Sequence, residues 1–183
     1  GVTISQVDRN LKPIPGTEQE LDCDTLLLSV GLIPENELSR SAGVKLSVAT
    51  AGPEVDEQLQ TSVPGIFACG NVLHVHDLVD WVSVEAAEAG KFAACFVREG
   101  SCALPSPIPV RPGSGVRYTL PQAVSGERDL TLSLRVSAPW RDRCVVVRDG
   151  GREIARKREM RLHPAEMIRI DLKKETVSGC SSL

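Results

Sequence analysis

Apolar residues follow two rhythms along this chain. Up to about residue 100 they come in short unbroken runs between turn-forming residues, and beyond about residue 115 they alternate with polar ones. Val2, Ile4 and Val7 predict a strand over residues 1–10, stopped by the turn Leu11-Lys12-Pro13-Ile14-Pro15-Gly16, because prolines cannot donate to a ladder. Leu26-Leu27-Leu28-Ser29-Val30, ended by Gly31, is a continuous apolar run of the kind that a strand buried on both faces of a parallel sheet requires. Pro34 to Leu38 predicts a short helix with acids in its first turn, closed by Gly43. Residues 48–60 are polar and predict a loop. Thr61 to Gly65 predict a turn, and Ile66-Phe67-Ala68-Cys69 a second buried strand, stopped by Gly70-Asn71. Residues 78–98 predict a helix on which Ser83, Ala87, Gly90 and Ala94 form a face of very small side chains.

Prolines 105, 107, 109 and 112 with Gly113 and Gly115 mark residues 101–115 as an extended linker. After it, residues 116–120, 130–136 and 167–172 alternate, and residues 144–147 form a short run. Asp149-Gly150-Gly151 is a hairpin turn with its return strand at 153–160. The expected architecture is therefore an α/β region, partial and Rossmann-like, over residues 1–100. It is followed by a small all-β antiparallel sandwich over residues 116–177 and a disordered tail over 178–183.

Composition narrows the function. The 183 residues are 42% hydrophobic and 25% charged, with a formal net charge of −3. A chain without basic excess is a poor match for a phosphate backbone, and six aromatics are too few for stacking on single strands, so no nucleic-acid partner is expected. The run Arg152, Arg156, Lys157, Arg158, Arg161 reads as a solvated strand face. No apolar run approaches the length of a bilayer span and no basic-led apolar leader is present, so neither a membrane span nor a secretory signal is expected. The six cysteines lack C-x-x-C spacing, which disfavours an adjacent redox dithiol and a zinc ribbon and suits free thiols in a reducing cytoplasm.

The candidate chemistry concentrates at residues 61–83. A glycine at the carboxyl end of a buried strand lets backbone approach a ligand, Asn71 can bond a sugar hydroxyl, and the following helix N-terminus favours negative charge. His74 and His76 lie at i, i+2, where Asp77 or Asp80 could complete a metal site. The expectation is no metal, with this loop lining a ligand face instead.

The run Thr61-Ser62-Val63-Pro64-Gly65-Ile66-Phe67-Ala68-Cys69-Gly70-Asn71 resembles the segment that closes the FAD site in the pyridine nucleotide-disulfide oxidoreductase superfamily, T-S-x-x-G-I-F-A-x-G-D. Asn71 stands where that family has Asp, and an amide still bonds a hydroxyl. Cys23 to Asn36 resembles the family's return from the NAD(P) domain to the FAD domain. The resemblance covers about residues 1–100. It implies that Gly70, Asn71 and Val72 face the flavin ribityl or phosphate side and that the backbone of Trp81, Val82 and Ser83 faces the ring. It also implies FAD and NAD(P)H as cofactors of a cytoplasmic oxidoreductase. The family's G-x-G-x-x-G fingerprints do not occur in these residues, and Gly113-Ser114-Gly115 leads into a strand. The expectation is that the chain is part of a longer flavoenzyme and alone binds FAD poorly and is inactive. The family's redox cysteine pair and its dimerisation motif, His-x-x-x-x-Glu-Pro, do not occur in these residues either. The β region is expected to contact a partner subunit or electron acceptor, with self-association also compatible. The competing reading is a non-enzymatic module that docks a partner or serves as a subunit of a multi-subunit dehydrogenase.

Overall fold

A computed structural model describes residues 1–183. The chain divides into two compact units, Gly1–Gly31 and Leu32–Leu183. The first is a small hairpin. Strand β1 (Val2–Ile4) pairs antiparallel with β2 (Gln19–Leu21), Val2 opposite Leu21. The strand expected over residues 1–10 is thus only three residues long. Asp8 takes over the next segment by accepting bonds from the amides of Asn10 and Lys12, forming a turn.

The second unit begins with α1 (Glu37–Ser41), followed by a bridged loop region, a 3-10 turn at Gly70–Val72 and the long helix α2 (Val79–Glu99). Helix α2 ends where Gly100 adopts φ +73° and its amide bonds the carbonyl of Phe96, a left-handed cap open to glycine at little cost. The remaining elements are β3 (Ile108–Pro109), β4 (Val116–Leu120), β5 (Ala123–Val124), β6 (Leu130–Val136), β7 (Trp140–Asp149), β8 (Arg152–Leu162), β9 (Ile168–Leu172) and α3 (Lys174–Val177). They form a three-stranded sheet β4-β6-β9 and the ribbons β7-β8 and β3-β5, all antiparallel. Asp149 pairs with Arg152 across Gly150-Gly151, so the expected hairpin turn is a two-residue loop.

Alternation explains the main core. On β6, Leu130, Leu132, Leu134 and Val136 point inward. They meet Ile168, Ile170 and Leu172 of β9, Val145 and Val147 of β7, and Leu162 of β8. A second cluster joins Val55, Ala68 and Leu73 to Tyr118 and Leu120 of β4, packing the loop region onto the β elements.

Four expectations need correction. Leu26–Val30 is not a strand, and Leu27 and Val30 are almost fully exposed. A strand apolar on both faces needs paired neighbours and covering helices, and none of the described elements supplies them. Ile66–Cys69 makes only an isolated bridge, Phe67 to Gln60, so no parallel sheet forms. The proline-rich segment is not a free linker, because Ile108 and Val110 are buried in the main core. The tail is not disordered: Leu183 exchanges backbone bonds with Pro109 and Arg111, Asp149 accepts from the amide of Ser181, and Cys180 is buried.

Candidate functional site

Local sequence forces the corner at Gly70. The residue adopts φ +70°, and a Cβ placed there would stand 3.2 Å from the Val82 side chain. Both facts favour glycine. Its amide donates to Glu85 Oε2 at 2.5 Å. Asn71 is exposed, and its Oδ1 accepts from the His76 amide at 3.1 Å, which leaves the Asn71 NH2 group free to donate. The Val72 carbonyl accepts from Asn36 Nδ2 at 2.8 Å. Asn36 is buried, also donates to the Ala51 carbonyl and accepts from Ser39 Oγ. The end of the run Cys23–Asn36 therefore holds the turn from behind.

Helix α2 is preceded by Leu78, an extended residue whose side chain caps nothing, so the first-turn amides are not consumed by a side chain. Of the helix residues singled out, Val82 packs at Gly70. Trp81 is instead turned toward β9, with the Arg169 guanidinium 3.7 Å from its ring centroid. Ser83 is exposed and bonds back to the Val79 carbonyl. The small-residue face Ser83, Ala87, Gly90, Ala94 points to solvent, while Val82, Glu85 and Ala89 lie on the covered side. A groove of about 960 Å³ runs beside the site, and of the six residues expected at the flavin only Trp81 lines it.

The structure brings together a set that sequence reasoning did not assemble. Glu85 Oε1 stands 3.2 Å from His74 Nε2 and 3.4 Å from His76 Nε2, and the two imidazole centroids are 4.2 Å apart. Burial works to raise the Glu85 pKa. The hydrogen bonds from both imidazoles, the charge of His74 and the Gly70 amide override it and hold the carboxyl at about 2. Burial lowers the His74 pKa, with Glu85 acting in the opposite sense, so the ring favours its neutral form. Asp77 and Asp80, weighed as oxygen donors beside the histidines, are not in this cluster. Asp77 is taken by Arg135 of β6. Arg135 is buried and also donates to the Val75 carbonyl (2.9 Å), the Pro164 carbonyl (3.3 Å) and Tyr118 Oη (3.1 Å). Asp77 Oδ2 accepts from the Met167 amide. One β-strand arginine thus clamps the His74–Asp77 loop. The available signal was the i, i+4 step from Trp81 to Glu85 on a helix beside two histidines, and periodicity alone does not turn that glutamate toward them.

A glycine at positive φ, an exposed amide side chain and an uncapped helix start stand together at this loop–helix corner. Residues 1–91 match the family model for pyridine nucleotide-disulphide oxidoreductase, and over those residues the chain belongs to that family. It is 30% identical over 107 residues to the glutamate synthase [NADPH] small chain of Mycobacterium tuberculosis, covering 57% of this chain and 22% of that protein. It is 44% identical over 59 residues to the mitochondrial dihydrolipoyl dehydrogenase of Caenorhabditis elegans, covering 32% and 12%. It is 33% identical over 82 residues to the NADH oxidase of Methanocaldococcus jannaschii, covering 45% and 17%. The chain therefore spans no more than about a fifth of the length of these relatives. No solved structure matches it. No helix is long and apolar enough to cross a membrane.

Proposed function

We propose that this chain supplies the closing half of a flavin site to an FAD-dependent NAD(P)H oxidoreductase whose glycine-rich pyrophosphate fingerprints stand outside these 183 residues. The observation that carries the reading is the Gly70–Asn71 corner, built on the family motif, with the Asn71 NH2 group free and the α2 start uncapped. These groups suit FAD in part. Asn71 would donate to a ribityl hydroxyl, and the first turn of α2 would face the electron-rich side of the ring. The Gly70 amide does not take part, because Glu85 already accepts from it. Trp81, Val82 and Ser83 are proposed at the ring through backbone rather than side chain. FAD, when bound, supplies the hydride acceptor. This chain's residues position it.

The exposed small-residue face of α2 and the uncovered run Leu26–Val30 suit a chain that meets further protein in use. The β elements are proposed to contact a partner subunit or electron acceptor. One observation favours the second reading, a non-enzymatic docking module: Leu26–Val30 and Ile66–Cys69 do not form a sheet here, whereas the β core is complete.

The test uses the gene product containing this segment. It is expected to purify with flavin and to oxidise NAD(P)H, and Asn71→Ala should weaken FAD about 5- to 10-fold, one hydrogen bond's worth, with Asn71→Asp restoring it. The 183-residue chain alone should bind FAD poorly. Stoichiometric flavin retained by that chain would overturn the shared-site reading. A gene product that neither holds flavin nor oxidises NAD(P)H would favour the docking module.

A further inference from the structure

The geometry points to a divalent metal site of the zinc class at His74, His76 and Glu85, a site separate from the flavin reading and not dependent on it. Two imidazoles and one carboxylate are a donor set that zinc takes readily, with a fourth position left for water. The two spacings to the carboxylate already fit. Metal–ligand distances of about 2.0–2.1 Å in a tetrahedron place the ligand atoms roughly 3.3 Å apart. Glu85 Oε1 stands 3.2 Å and 3.4 Å from the two Nε2 atoms. The three ligand atoms lie within 4.8 Å of one another.

The surroundings fix this set. The Gly70 amide holds Glu85 Oε2, leaving Oε1 for the cation, the arrangement by which an outer partner orients a ligating carboxylate. The Tyr118 ring stands edge-on to His74. Arg135 holds the Val75 carbonyl between the two histidines and the Asp77 carboxylate after them. Nδ1 of each ring is buried without a partner. With Nε2 facing a metal each ring carries its proton at Nδ1, where no protein acceptor stands and a water must take it, and the hydrogen bonds given up are those to Glu85. His76 and Glu85 line the groove beside Trp81, which gives a cation an entry path and its fourth ligand a place. Because Gly70 hangs on the same carboxylate, the metal would brace the corner at residues 70–72.

The 183-residue chain, stripped with a chelator, is titrated with Zn²⁺ alone by calorimetry and with Co²⁺ alone by visible absorption. The expected result is one ion per chain, a cobalt d–d band without a thiolate charge-transfer band, and a zinc-dependent rise in melting temperature. His76→Gln and Glu85→Asp should each weaken zinc about tenfold or more. Since a variant of a buried cluster can fail to fold, circular dichroism accompanies each. Zinc-edge absorption of the unaltered protein should show only nitrogen and oxygen ligands with imidazole scattering. Sulfur ligation, absence of a one-to-one complex, or unchanged affinity in both folded variants would overturn the assignment.

Discussion

Arg135→Met is the most informative single perturbation of this structure. It keeps length and apolar stem but removes a guanidinium that serves the Asp77 carboxylate, two backbone carbonyls and the Tyr118 hydroxyl from a buried position. Removing one partner of a buried ion pair costs roughly 3–5 kcal/mol, because the other charge is left uncompensated. Here the penalty is softened, since Asp77 keeps its bond from the Met167 amide and its side chain is 34% exposed. The Val75 and Pro164 carbonyls and the Tyr118 hydroxyl lose a donor, at about 1 kcal/mol for a group that stays dry. The expected loss is about 3 kcal/mol, which is a fall in Tm of roughly 6–12 °C for a unit of this size. Urea unfolding followed by fluorescence of Trp81 and Trp140 measures it. Asp77→Asn and the double variant complete a cycle that should give a coupling of about 1–3 kcal/mol. A change below about 1 kcal/mol with an intact near-native spectrum would refute the view that this arginine ties the loop to the β core.

Acid should weaken the metal-free protein by a route that can be traced to named groups. The Glu85 carboxyl is held at about 2 against an ordinary 4.5, so its contribution, about 3 kcal/mol, is complete above pH 4.5 and lost as pH falls toward 2. His74 has its pKa lowered by burial, so the unfolded chain takes up that proton first and stability also falls with pH below 6.5. Urea midpoints at pH 7, 5 and 3 should decline, and Glu85→Gln should flatten the lower part of the curve; an equal decline in that variant would count against the assignment. Gly52→Ala should cost about 3 kcal/mol, since its Cβ would fall 1.8 Å from the carbonyl oxygen of the fully buried Leu73. Gly113→Ala, with nothing within 4 Å, should leave the urea midpoint unchanged. Leu132→Ala at the centre of β6 should cost about 2–5 kcal/mol by the same assay.

Features whose cause lies within a few residues were legible in the chain itself. The Gly150-Gly151 turn was legible because a two-residue glycine loop between alternating strands has few other uses, and β6 because strict alternation specifies one buried face. Helix α2 was legible from its period. The family motif around Gly70 is equally local, and it led to the corner. Leu26–Val30 shows the limit of such signals. An apolar run states that it can be buried but not by what, and without neighbouring strands it remains exposed. The proline-rich segment reads as a linker from composition, yet Ile108 and Val110 find room in a core whose shape is set by β6 and β9.

The candidate site divides along the same line. Sequence alone determined the glycine at residue 70, the amide at 71, the two histidines and the helix that follows. Their assembly was decided by tertiary structure: Glu85 turned inward beneath Gly70, and Asp77 drawn away to an arginine 58 residues further on. Backbone propensities act over a turn or a strand, whereas a buried charge takes whichever partner the packed elements bring within hydrogen-bond reach.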